Sequence, residues 1–561
     1  MKTQYVYDHY FTYDEITSAL RQYKHDYPDL CRLTTLGTTP ENREIWLIEI
    51  TDPETGTFED KPGFAVTANI HAGEVTGNCC AMYFLDTIFN NAKEEPVCSL
   101  LKKYTIYCVP RISPDGSEYY LTNPGMIRSV PRLYPFEEQM PGLHPQDLDG
   151  DGVIRQMRIK RPEGALKIDP EDPRIMIKRR PDEVTGDFYD VYSEGMIVDK
   201  DPEEEINTAP TAFGNDLNRN FPISWAPEHR QHGAGSYALS NPESAALAEF
   251  MDKHKNLCTI MHFHTMGGQY LYPPGYKSGK DSNREDMKIY KEIGKMATEE
   301  SGYPCWNVRD EYIGNTPEEI LGLMDDFSYF AMGLINFTCE CWDLDKRAGF
   351  DYIVPARELT EEEAVNQLRL RLKWIDEQND GTGFKTWTKF DHPQLGEVEI
   401  GGFDYKHVIQ NAPSKFIQQE VEKHTRFLLR EMNTLPHLYL KNTIVTAVGN
   451  THYRIETTLA NASYLPTYVT KEAVATGRAQ EIIAVLEGAE VTEGKAKQKI
   501  GHLNGYWSKG SYGYGLGSIT VNHAPTEKKL SWVVEGKPGD TVTITCSCPR
   551  AGKVQECITL G

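Results

Sequence analysis

Strand-like and helical periods alternate along the first three quarters of the chain. The apolar runs Ile45-Trp-Leu-Ile-Glu-Ile50, Phe64-Ala-Val-Thr-Ala-Asn-Ile70 and Tyr104-Thr-Ile-Tyr-Cys-Val-Pro110 read as buried strands. Leu257-Cys-Thr-Ile-Met-His-Phe263 and Leu334-Ile-Asn-Phe-Thr-Cys-Glu340 read the same way. Between them, Gly77 to Asn90 sets Ala81, Phe84, Leu85 and Ile88 on one helical face, and Asn241-Pro242 opens a helix through Leu247 and Phe250. This alternation predicts an α/β fold, a mixed, largely parallel twisted sheet with helices on both faces. Such sheets bind ligands beyond the carboxyl ends of their strands.

The rhythm stops between about residues 129 and 215, where Pro, Asp, Glu, Arg and Lys dominate; that stretch reads as an insertion of loops and short strands. After Leu435-Pro436 the texture changes again. Short alternating runs such as Thr443-Ile-Val-Thr-Ala-Val448 and Thr541-Val-Thr-Ile-Thr545, separated by Gly, Asn and Pro, read as a β-sandwich. The expected domains are residues 1–435, with the insertion, and an accessory all-β domain over 436–561.

At 561 residues the chain exceeds a single core. Its formal charge of −23 repels nucleic acid and anionic membranes and tolerates cationic substrates. No run approaches a membrane span. The first residues lack the apolar core of a signal peptide, which places the protein in the cytoplasm unless a leader has been removed. Of twelve cysteines, without paired Cys-x-x-Cys sets, most read as reduced and buried.

Candidate chemistry gathers where strands end. His71-Ala-Gly-Glu74 follows one apolar run, and its small central residues let a loop bring imidazole and carboxylate to one ion. Those are two of the three protein ligands of a hydrolytic zinc site. His264, in Met261-His-Phe-His-Thr265, is the candidate third, with Gly267-Gly268 leaving space above the metal. Glu340 ends another apolar strand. A carboxylate there is costly to bury unless paired or functional, although strand alternation equally allows a solvated face. Asn218 and Arg219 offer donors that can grip a carboxylate, or simply form a turn with a surface ion pair. Inside the insertion, Asp147, Asp149, Asp151 and Gly152 resemble the first half of a calcium loop, but Arg158 stands where the bidentate glutamate belongs.

In order, the chain carries His71-Ala-Gly-Glu74, Pro114-Asp-Gly116, Asn218-Arg219-Asn220, His264-Thr265 and Phe337-Thr-Cys-Glu340. This ordered set resembles the zinc carboxypeptidase family, over residues 5 to about 435. The resemblance implies one zinc held by His71, Glu74 and His264, with Glu340 as general base toward a zinc-activated water. It implies that Asn218 and Arg219 hold a peptide's free C-terminal carboxylate. An oxyanion-stabilising arginine is expected at Arg128, with Arg132 as the other choice. The family's cleft-closing tyrosine falls at Glu318, with Tyr312 nearby. Met266 stands where a tyrosine is frequent. If Asp326-Phe327-Ser-Tyr329 aligns with the family's Asp-Trp-x-Tyr, Asp325 occupies the pocket floor, where an acid favours a terminal Lys or Arg; otherwise it is a loop aspartate. His71 comes early, leaving no room for an inhibitory prosegment, so control of access is expected from the insertion or the C-terminal domain. The function expected is a zinc-dependent carboxypeptidase acting on peptides. The alternatives are a zinc amidase for cell-wall peptides or acylated amino acids, and an inactive binding protein. Oligomeric state is left open.

Overall fold

The structure is a computed structural model of the chain. It describes residues 5–202, 205–314, 316, 319–508 and 525–561, and the backbone of 511–512 and 519–520. Eight strands form the main sheet in the order Cys31–Thr38, Glu44–Ile50, Thr105–Val109, Gly63–Ala68, Leu257–Thr265, Ile335–Cys341, Gln269–Tyr272, Cys305–Asn307. The central four, Thr105–Val109 to Ile335–Cys341, run parallel, and on each side the adjoining strand is antiparallel to them. Gly63–Ala68, Thr105–Val109 and Leu257–Thr265 are buried at every position, because helices cover both faces. On one face lie helices Val75–Asn90, Arg284–Ser301 and Ser414–Met432, with Cys80, Phe84, Ile293, Val421 and Phe427 in the larger core. On the other lies Pro242–Lys253, whose Leu247 and Phe250 pack on Ala65 and Tyr107.

The chain order makes a switch point in this sheet. Gly63–Ala68 is followed by two helices, Val75–Asn90 and Val97–Lys103, and then by its left-hand neighbour Thr105–Val109, whereas its right-hand neighbour is the much later Leu257–Thr265. Connections therefore leave in opposite directions and open a crevice above the strand ends.

The 129–215 stretch contains short strands, but its main sheet is not self-contained. Gln156–Lys160, Tyr189–Ser193, Leu166–Ile168 and Met176–Lys178 continue into the hairpin Phe384–His392 and Gly396–Phe403. That hairpin comes about two hundred residues later, and the reading of 129–215 as loops and short strands did not include it. Beyond residue 437, two four-stranded antiparallel sheets enclose a core of Ile455, Leu486, Trp532 and Ile544. This unit meets the other end of the main sheet. The Arg550 carbonyl accepts from Cys258 at the start of its strand, and Thr470 donates to the Gly333 carbonyl. Cys258 and His264 are six residues apart, about 20 Å along a strand, so these contacts lie away from the crevice.

Candidate metal centre and active site

His71 and Glu74 sit in the turn between Gly63–Ala68 and helix Val75–Asn90, and local packing dictates its shape. A Cβ on Gly73 would lie 2.7 Å from the Tyr120 ring. The Ala72 amide donates to the Arg128 carbonyl (2.8 Å), and Ser113 Oγ to the Ser129 carbonyl (2.5 Å). A Cβ on Gly116 would stand 1.8 Å from that same Ser129 oxygen. The glycine of Pro114-Asp-Gly116 therefore lets the Arg128-bearing segment lie against the His71 turn. Asp115 is structural, accepting from Thr39 Oγ1 (2.7 Å) and Arg43 (2.9 Å).

His264 comes from the end of Leu257–Thr265 and stands in register with Glu340 of the parallel neighbour strand. His71 Nδ1 is 2.8 Å from Glu74 Oε1, His264 Nδ1 is 2.9 Å from Glu74 Oε2, and the two Nδ1 atoms are 3.1 Å apart. All three residues are buried. Glu74 Oε2 lacks a hydrogen-bond partner despite that proximity. Two imidazole nitrogens and a carboxylate converging without enough protons to satisfy them fit a shared cation. Tetrahedral zinc with Zn–N near 2.0–2.1 Å separates two nitrogens by about 3.3 Å, close to the spacing here. Burial raises the Glu74 carboxyl, but His71 and His264 outweigh it and hold it below its ordinary range.

Asp216, to which sequence reading gave no role, ties the centre together. Its Oδ1 lies 3.1 Å from His71 Nε2, and its Oδ2 accepts from Arg128 Nε (2.9 Å). Burial opposes its charge, but Arg128, Arg219 and His71 keep it well below the carboxylate range. The only local signal was an aspartate capping the Leu217–Arg219 turn; its partner lies 145 residues away.

Arg128 also donates to Glu74 (3.2 Å), with a side chain 42% exposed toward the crevice. Arg132 is instead locked on Glu243 (2.6 Å) and Asn241 (2.9 Å), away from this cluster. Burial, then the Glu74 carboxylate, push Glu340 well above its usual range, against the pull of Arg128. Its strand neighbours Cys339 and Cys341 face the opposite core. Asn218 Oδ1 accepts from the Met324 amide (2.8 Å), and Arg219 donates to the Asn218 carbonyl (2.8 Å).

Asp325 is buried and accepts from Thr338 Oγ1 (2.5 Å) and Asn336 Nδ2 (3.4 Å). It makes no ion pair among the described residues, and burial raises its carboxyl. Asp326 turns away to cap the Gly275 amide (2.9 Å). The Tyr312 hydroxyl is shifted up by burial and then by Glu340, so it stands in the same electrostatic field. With Met266 and Trp306 it lines a cavity of about 340 Å³. Glu318 lies outside the described residues. Gly267 and Gly268 do not open space above the site: Cβ atoms there would meet the Gln269 amide at 2.7 Å and the Asp343 Cβ at 2.5 Å. They allow close approach of the next strand. A second cavity, of about 1000 Å³, runs from Arg128 and Asp216 to Tyr134, Phe136, Thr211 and Glu228.

The would-be calcium loop is neutralised by cations of the protein itself. Lys385 reaches Asp149 (2.5 Å) and Asp151 (2.7 Å), Arg155 reaches Asp151 (2.6 Å), and Asp147 caps the amides of Gly150 (2.9 Å) and Gly152 (2.8 Å). Calcium has no support there.

Residues 16–369 match the family described as zinc carboxypeptidase, and the chain belongs to that family. Residues 437–559 match a domain of unknown function (DUF8731). The chain is similar to bovine (Bos taurus) carboxypeptidase O, 22% identical over 291 residues, 50% of this chain and 57% of that protein. It is 29% identical over 111 residues to mouse (Mus musculus) carboxypeptidase D, 20% of this chain and 8% of that protein. The chain thus spans under two thirds of these relatives. Carboxypeptidase A from Helicoverpa armigera overlays with a TM-score of 0.42 and 13% identity, covering 68% of this chain and 77% of that one. The family implies zinc. Among the described residues no helix is long and apolar enough to cross a membrane.

Proposed function

We propose that this chain is a metallocarboxypeptidase that removes the last residue of peptides bearing a free C-terminal carboxylate, with residues 1–435 as its catalytic domain. The observation that carries the reading is the convergence of His71, Glu74 and His264 from two strand ends, beside Glu340 at a third, in a chain of the zinc carboxypeptidase family. These three residues would hold the zinc. When bound, zinc supplies Lewis acidity and lowers the pKa of water toward about 7. Asp216 holds His71 in one tautomer and orientation through Nε2. Arg128 presents its guanidinium to the crevice, where carbonyl oxygen charge develops. Glu340 takes a proton from the attacking water at its carboxylate and returns it to the leaving amine. Arg219, with Asn218 setting its turn, meets the terminal carboxylate.

Asp325 is the proposed selector of side chains. A buried carboxylate with only neutral donors gains most from an incoming cation, so a terminal Lys or Arg is the proposed preference. The net charge of −23 attracts such peptides. Tyr312 and Met266 line the neighbouring wall. The 129–215 insertion, through Tyr134 and Thr211, shapes the approach to Arg128.

The test is a panel of short peptides differing in the last residue, each with free and amidated C-termini, assayed with and without 1,10-phenanthroline. Cleavage confined to free termini and abolished by chelator is expected. Equal cleavage of amidated peptides points to the amidase alternative, and no cleavage of any peptide by zinc-loaded protein sinks the reading.

A further inference from the structure

Beneath the candidate active site, on the opposite face of the sheet, lies a second group of metal-binding side chains. Cys339 and Cys341 alternate with Glu340, so they point into the core that Glu340 avoids. Cys80 reaches them from helix Val75–Asn90 and His424 from helix Ser414–Met432. All four are buried. Cys80, Cys341 and His424 bring donor atoms within 4.8 Å of one another. The sulfurs of Cys80 and Cys341 are 3.7 Å apart, as are those of Cys339 and Cys341, and Cys339 Sγ is 3.5 Å from His424 Nδ1.

The Cys80–Cys341, Cys341–Cys339 and Cys339–His424 spacings match edges of one polyhedron, while Cys339 stands outside the group whose donor atoms all lie within 4.8 Å and would close toward Cys80 on loading. With Zn–S near 2.3 Å and Zn–N near 2.0–2.1 Å, tetrahedral zinc sets sulfur pairs about 3.8 Å apart and sulfur–nitrogen pairs about 3.6 Å apart. A disulfide requires about 2.05 Å, which neither sulfur pair approaches. The surroundings also suit a metal. Glu420 Oε1 lies 3.3 Å from His424 Nε2, one helical turn away, and aims Nδ1 at the sulfurs. A carboxylate behind a ligating imidazole fixes its tautomer and raises its basicity. Three thiolates exceed the charge of Zn²⁺ by one, and Glu420 adds a second. Arg347 (3.2 Å) and Lys423 (2.9 Å), both on Glu420, balance the two. Tyr270 OH, 2.7 Å from His424 Nδ1, would turn aside on metal binding.

We propose that Cys80, Cys339, Cys341 and His424 form a second, structural zinc site that pins helices Val75–Asn90 and Ser414–Met432 to the strand carrying Glu340. Loading releases the three thiol protons to solvent and involves no electron transfer. Because the site is sealed, zinc enters as the chain folds.

The decisive variant leaves these residues untouched. The full-length His71→Ala/His264→Ala protein lacks both crevice histidines and keeps the second site's residues. Mass spectrometry of metals should find two zinc ions per wild-type chain and one in this variant. Refolded with cobalt, the variant should show thiolate-to-metal charge-transfer absorption in the near ultraviolet. Cys341→Ala in the otherwise native chain should lose that absorption and one zinc. Should Cys341→Ala fail to fold, the double variant still decides. A metal-free double variant without charge-transfer absorption, or a Cys80–Cys341 disulfide in peptide mapping of protein purified without reductant, overturns the proposal.

Discussion

Asp216→Asn isolates the contribution of a group that touches no substrate. The native carboxylate accepts from Arg128 Nε at 2.9 Å and from the Asn218 amide at 2.8 Å, and lies 3.1 Å from His71 Nε2. An asparagine keeps one acceptor. If its oxygen stays on His71 and Asn218, its NH₂ faces the Arg128 donor, and a charge-assisted bond worth about 1.5–3 kcal/mol is replaced by two opposed donors. Removing the anion also loosens the hold on the His71 ring. Loss of such supporting partners costs 10–100-fold in metal affinity, about 1.4–2.8 kcal/mol. The assay is competition with a calibrated chelator, beside chemical denaturation of metal-free protein. Zinc at the crevice site should bind 10–100-fold more weakly, and kcat/KM at saturating zinc should fall as Arg128 loses its anchor. Affinity within threefold of wild type, with kcat/KM unchanged, would refute the reasoning. A loss of folding stability alone would make Asp216 a turn cap and nothing more.

Glu340→Gln should retain zinc by metal analysis while kcat falls 10²–10⁴-fold; near-normal turnover removes Glu340 from the base role. Asp325→Asn should raise KM for peptides ending in Lys or Arg at least tenfold relative to those ending in Leu, and an unchanged ratio excludes it as selector. Gly116→Ala forces a Cβ to within 1.8 Å of the Ser129 carbonyl, so the midpoint of urea unfolding should drop by an equivalent of 2 kcal/mol or more, on the order of other overpacked sites; a wild-type midpoint contradicts the packing. Glu431 is fully buried, neither oxygen has a hydrogen-bond partner, and burial lifts its carboxyl from 4.5 to about 8. The folded chain keeps this proton while the unfolded chain releases it, so stability falls as pH rises from about 4.5 to 8. Glu431→Gln should remove that slope, gaining a few kcal/mol over wild type at pH 8 and little at pH 5 in denaturation curves; parallel pH profiles would count against it.

Period and composition alone determined the layer architecture. The buried strands, the covering helices and the late alternation of β runs are local patterns, and each arises where the chain itself is amphipathic or wholly apolar. The ordered motifs also pointed to His71, Glu74, His264 and Glu340, because a strand end is legible as an apolar run that stops at a polar group, whereas Arg128 came only from the family resemblance. Arg128 and Arg132 could not be separated locally. What separates them is Glu243, more than a hundred residues onward, which occupies one of them. Asp216 stayed silent for the same reason, its meaning residing in His71 and Arg128. The place of the 384–403 hairpin in the insertion's sheet left no mark in the sequence, since strand pairing between distant segments leaves no periodic trace in either. Most telling are Glu340 and its two cysteine neighbours. Alternation says only that they face opposite ways, and only the packed sheet decides which side meets the crevice and which meets Cys80 and His424. Periodicity is a property of one segment, but a site is a coincidence of several in space.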